Sequence, residues 1–110
     1  MLTFKDRMAV AAHRGDSYNF YENTISAFKS AILSGADMIE TDVHLSKDGF
    51  LVLIHDDTVN RTTNGKGRVD EMVFSDLRKL NAGDSAVYEQ IPTLKELFLL
   101  VKDTKCYTQY

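Results

Sequence analysis

Residues 38–54, "MIETDVHLSKDGFLVLI", restrict the possible folds of this chain more than any other stretch. The first eight alternate strictly: Met38, Glu40, Asp42 and His44 fall on one face of an extended chain, and Ile39, Thr41, Val43 and Leu45 on the other. That pattern predicts one strand over 38–45 with an unusually acidic face. After "KDG", the apolar run Phe50 to Ile54 reads as a second strand that ends at His55. So short a link cannot make the crossover a parallel pair needs, so the two strands form an antiparallel hairpin. With Asp48 and Gly49 at the centre of a type I′ turn, Lys47 pairs with Phe50 and Asp42 faces His55. A slip of one residue would turn that side chain to the other face.

The flanking segments supply the rest of an α/β order. Met8 to Ala12 is a short apolar run ending at His13, as in a buried strand. Ile25, Phe28, Ile32 and Leu33 then recur at helical spacing, with Asn23 or Thr24 placed to cap the first turn and Gly35 to end the last. Residues 56–68, "DDTVNRTTNGKGR", read as a polar loop or small excursion rather than core. Ser75 to Leu80 reads as a short helical turn, and Pro92 and Thr93 open a helix through "TLKELFLLVK". The tail "DTKCYTQY" reads as the start of a further strand. Strand, helix, hairpin, excursion, helix predicts an α/β protein with the polar strand ends gathered in one place.

Composition narrows the partners. A net charge of −3 over 110 residues leaves no basic footprint for nucleic acid. Cys106 is the single cysteine, so no intrachain disulfide or Cys-based zinc site is expected. Lys5 and Arg7 precede an apolar run of five residues, too short for a signal-peptide core or a membrane span. The expectation is a cytoplasmic protein.

His13, Glu40, Asp42 and His55 all fall at or near predicted strand ends, where α/β folds build their sites. A histidine at such a position is either a hydrogen-bonded structural residue or a proton carrier. Two carboxylates at alternate positions repel each other unless a cation or shared proton relieves them. Their oxygens suit Mg²⁺ or Ca²⁺, and the other reading is the solvated face of an edge strand. Arg14 offers a planar fork of donors for phosphate oxygens, and Gly15 lets the backbone approach closely. Glu22 is a partner of the helix dipole or a wall of the site. Asn23 and Thr24 read as caps, and His44, further up the hairpin, stays outside the metal set. Together these residues fit metal-assisted cleavage of a phosphate ester, with one histidine taking a proton from the nucleophile and the other protonating the leaving oxygen. Their order does not say which does which.

"HRG" at 13–15, "ENT" at 22–24, "GADMIETDVHLSKDG" at 35–49, "HDD" at 55–57, "RTTNGKG" at 61–67, "LRKLNAG" at 77–83 and "IPTL" at 91–94 together resemble the glycerophosphodiester phosphodiesterase family. The resemblance implies a TIM-barrel enzyme that hydrolyses glycerophosphodiesters to an alcohol and glycerol 3-phosphate with a divalent cation, Mg²⁺ or Ca²⁺. By position it implies His13 and His55 as the acid and base pair, Arg14 as a phosphate contact, and Glu40 and Asp42 as metal ligands. It also implies residues 56–89 as a small insertion beside the barrel mouth, and the glycerol 2-hydroxyl as a possible internal nucleophile. The family pattern would next show a third acidic ligand in a Glu-x-Lys strand, beyond the last residue of this sequence. A barrel needs about 250 residues and eight strands, so the chain corresponds to about three of the eight and is incomplete by itself. Self-association, or assembly with the missing part of the barrel, is therefore expected. Two rivals remain: an inactive fragment that binds a cation or phosphate or only self-associates, and a phospholipase D-like relative acting on lipid phosphodiesters.

Overall fold

The computed structural model describes residues 10–110, so Met8 and Ala9 of the first predicted strand lie outside the described residues. Strand β1 (Ala11–His13) leads through a long loop into helix α1 (Ile25–Leu33), then β2 (Met38–Glu40). β3 (Val43–Leu45) and β4 (Leu51–Leu53) follow, and after an excursion come α3 (Leu94–Val101) and β5 (Tyr107–Gln109). Within the excursion lie a single 3₁₀ turn at Val69–Glu71 and one turn of helix, α2 (Phe74–Leu77), slightly earlier than the predicted Ser75–Leu80. Among the described residues no helix is long and apolar enough to cross a membrane.

The three strands β1, β2 and β5 form a parallel sheet in the order β1-β2-β5, so the tail does make a strand. Its register aligns His13 with Glu40 and Glu40 with Gln109, all at the carboxyl ends of their strands. On one face Ile39 is buried with Phe28 and Ala31 of α1 and with Leu94 and Leu97 of α3. The opposite face carries Ala11, His13, Met38, Glu40, Tyr107 and Gln109, and among the described residues no helix packs on it.

The predicted strand 38–45 is in fact two. Thr41 N still donates to Gln109 O of the parallel sheet, whereas Asp42 O accepts from Ile54 N of the hairpin. The extended run thus changes partners between Thr41 and Asp42, and its inside–outside alternation is lost with it: Ile39 and Thr41 are buried, but Leu45 is exposed and Ser46 buried. The hairpin is antiparallel as expected, but its register pairs Val43 with Leu53 and Leu45 with Leu51. The link is a three-residue turn, Lys47–Gly49, closed by Ser46 N donating to Phe50 O, with Gly49 at φ +91°. Asp42 therefore lies opposite Ile54, one residue off the predicted pairing with His55.

The end of β4 is buried on both faces, through Val52 and Leu53. Leu53 joins the core beneath the parallel sheet, while Val52 and Ile54 join a second core with Val59, Val69, Leu77, Ala82 and Ile91. Val59 is fully buried, so the 56–68 stretch does contribute to a core, contrary to the expectation from its polar composition. Its one aliphatic residue is enough, because the hairpin offers it an apolar face.

Candidate active site

The loop after β1 is shaped by unusual backbone. Arg14 (φ +58°) and Gly15 (φ +81°) turn the chain back towards α1. A Cβ on Gly15 would sit 2.9 Å from Ala27 and Phe28, so the glycine is required by packing against the helix. The close backbone approach that a glycine allows is here made to the helix. Arg14 N donates to Glu40 O at 2.6 Å, which fixes the loop onto the end of β2.

Both carboxylates of the alternating strand meet the β1 end. His13 Nδ1 lies 3.6 Å from Glu40 Oε2, and Arg14 Nε lies 3.4 Å from Asp42 Oδ2. That Nε is buried and makes no hydrogen bond, because Asp42 stands off its N–H direction. Asn23 was expected as a helix cap. Thr24 takes that role, its Oγ1 accepting from Ala27 N, and Asn23 instead reaches into the site. With φ +55° and almost no exposure, it accepts from Thr41 Oγ1 at 2.7 Å and donates to Asp42 Oδ2 at 3.2 Å. Its signal in the sequence was the residue type, since asparagine tolerates left-handed backbone better than most.

His55 is anchored at both its backbone and its ring. His44 Nε2 donates to His55 O at 3.0 Å, and His55 Nδ1 lies 2.8 Å from Asp56 Oδ1. With a carboxylate on Nδ1, the neutral ring carries its proton there and leaves the Nε2 lone pair free. The next link is a residue the sequence reading did not single out. Arg61 donates through Nε and Nη2 to Asp56 and through Nη1 and Nη2 to Glu22, at 2.8–3.0 Å. Glu22 also accepts from Arg14 Nη1 at 3.3 Å. One guanidinium therefore joins His55, through Asp56, to Arg14, through Glu22. The Arg61 hydrogen bonds, reinforced at Asp56 by His55, hold the Asp56 carboxyl far below the usual carboxylate range and lower that of Glu22 too. Arg61 is correspondingly raised by the Asp56 and Glu22 bonds. Asp56 gave a faint signal as the residue after His55, but the Arg61–Glu22 contact spans 39 positions and no local pattern announces it.

Among the described residues no group of three or more histidine, cysteine, aspartate or glutamate side chains is placed to hold a metal ion. Glu40 and Asp42 are nevertheless a fitting pair. Each keeps an oxygen without a donor among the described residues, and both side chains are part-exposed. Two carboxylates, completed by water and substrate phosphate, are a usual protein contribution to Mg²⁺ binding.

A parallel sheet with helices on one face and histidine, carboxylate and arginine side chains at the strand ends is the arrangement of an α/β barrel-type site. The chain belongs to the glycerophosphoryl diester phosphodiesterase family, whose model matches residues 13–109. It is 55% identical over 98 residues to a glycerophosphodiester phosphodiesterase of Caldanaerobacter subterraneus subsp. tengcongensis, covering 86% of this chain and 40% of that protein. It is 42% identical over 98 residues to human glycerophosphodiester phosphodiesterase 1, covering 84% of this chain and 30% of that protein. Among solved structures, the Agrobacterium tumefaciens glycerophosphodiester phosphodiesterase superposes with a TM-score of 0.86 at 36% identity, over 93% of this chain and 46% of that one. An Oleispira antarctica phosphodiesterase, solved in complex with the product sn-glycerol-3-phosphate, superposes with a TM-score of 0.83 at 32% identity, over 96% and 45%. The chain therefore matches part of the family's TIM barrel and spans less than half the length of these relatives.

Proposed function

We propose that the protein hydrolyses glycerophosphodiesters to an alcohol and glycerol 3-phosphate, with His13 and His55 as the proton-transfer pair. The observation that carries this reading is the Arg61 clamp, which orients His55 and Arg14 from a single group. Arg14, at the strand end beside Asp42, presents guanidinium N–H groups to a phosphate oxygen and offsets its charge. His55 holds a free Nε2 towards the site, suited to accept a proton or, once protonated, to return it. His13, beside Glu40, supplies the opposite transfer. Glu40 and Asp42 would hold a divalent cation, which when bound supplies positive charge to the phosphoryl oxygens.

The test is turnover of glycerophosphocholine by the purified protein with Mg²⁺, with Ca²⁺ and with EDTA. Cation-dependent hydrolysis is expected, falling by about 10²- to 10⁴-fold in His13→Ala and in His55→Ala. Hydrolysis untouched by either substitution removes the two histidines from the reaction.

The open sheet face favours a second, structural proposal. Ala11 and Met38 lie there with no helix over them among the described residues, and the relatives' length supplies a covering: further strands of the same barrel.

A further inference from the structure

We propose that Asn23, backed by Thr41, is a positioning residue that keeps the Asp42 carboxylate off Arg14 and turned to a cation; this rests on the cation role proposed for Asp42 above. The starting observation is an unsatisfied group. Arg14 Nε is buried and makes no hydrogen bond, although Asp42 Oδ2 lies only 3.4 Å away. A buried N–H beside a carboxylate normally closes on it, because a hydrogen bond left unmade away from water is costly. Something therefore holds the two apart.

Asn23 is the group placed to do so. Its Nδ2 donates to the same Oδ2 at 3.2 Å, while Asp42 Oδ1 has no donor among the described residues. The amide has only one workable orientation, since a carboxylate accepts and the carbonyl end of asparagine cannot donate to it. The Asn23 carbonyl is thus left to Thr41, whose hydroxyl donates to it at 2.7 Å. Thr41 is itself fixed on the parallel sheet, its N–H donating to Gln109 O of β5. The relay runs from the sheet through Thr41 and Asn23 to one oxygen of Asp42. With Asn23 and Thr41 only 4% and 6% exposed, water does not compete for either side chain.

The backbone adds a second tie. Asn23 N donates to Arg14 O at 2.9 Å, in the left-handed conformation already noted. One residue therefore sets the spacing between the loop that carries Arg14 and the strand that carries Asp42. As a result Arg14 Nε is not taken up by Asp42, and Asp42 Oδ1 is left for a hard cation.

The experiment has two readouts, neither of which is turnover. Mn²⁺, which accepts the same oxygen ligands as Mg²⁺, is titrated into the purified protein and the free ion counted by electron paramagnetic resonance. Separately, the Arg14 Nε–H signal is followed by ¹⁵N NMR without metal. Glycine adopts the backbone of position 23 freely, so Asn23→Gly removes the amide alone. It should bind Mn²⁺ roughly 10- to 100-fold more weakly than the wild type, and its Arg14 signal should move downfield as Asp42 closes on Nε. Thr41→Val should shift both readouts in the same direction, whereas Thr41→Ser, which keeps the hydroxyl, should match the wild type. Those two variants decide the matter if Asn23→Gly does not fold. Wild-type affinity in Asn23→Gly and Thr41→Val, or an Arg14 signal that does not move in them, overturns the positioning role and leaves the cation reading standing. Absence of Mn²⁺ binding by the wild type overturns both.

Discussion

At the scale of single residues, the site depends on one arginine that the sequence left inconspicuous. His13, Arg14, Glu40, Asp42 and His55 were legible because strand ends and alternation place them; Arg61 was not, because its role arises only when the excursion folds back onto Glu22. Arg61→Gln keeps polarity but cannot bridge two carboxylates. It should shift the His55 tautomer balance away from Nδ1–H, as read by ¹⁵N NMR of the imidazole, and lower turnover by up to about 10²-fold through misplacement. An unchanged tautomer balance would count against any positioning role. The same cluster sets an acid limit. Asp56 and Glu22 have folded values below their unfolded ones, so their contribution is complete above about pH 5 and is lost as pH falls from there towards the depressed values. Urea midpoints in the wild type should therefore fall as pH drops below about 5, and less steeply in Asp56→Asn.

Among the elements, the helices were the most readable and the alternating strand the least. Thr93 and Glu96 form a reciprocal capping box at the start of α3, visible in the sequence as a threonine followed by glutamate at the third position. Thr93→Ala should cost about 1 kcal/mol in urea unfolding. By contrast, alternation reports only which way side chains face. It is blind to which neighbour a strand bonds, so the change of partner between Thr41 and Asp42 left no trace. The register error had a similar origin: "KDG" suits both two-residue and three-residue turns, and Ser46 decided it by donating to Asp48 and accepting from Phe50 N. Gly15→Ala tests the loop before α1. It would place a methyl group 2.9 Å from helix backbone at a positive φ, and a loss of about 2 kcal/mol or more is expected from thermal or urea unfolding.

For the molecule as a whole, the α/β class and the gathering of strand ends were readable from the order of elements, whereas the second core was hidden by a polar sequence. The open face of the parallel sheet predicts that the isolated 110-residue chain associates in solution. Sedimentation equilibrium should give an average mass above that of one chain, rising with concentration; a strict monomer would mean that the exposed strands need no cover. β4 carries a different consequence. Because Leu53 belongs to one core and Val52 and Ile54 to the other, neither side can melt without stripping the other of a wall. The excursion is therefore thermodynamically inseparable from the sheet. The Leu53 amide, bonded to Pro92 O, should exchange its hydrogen only through global unfolding. Excising residues 57–88 should accordingly collapse the site as well as the loop.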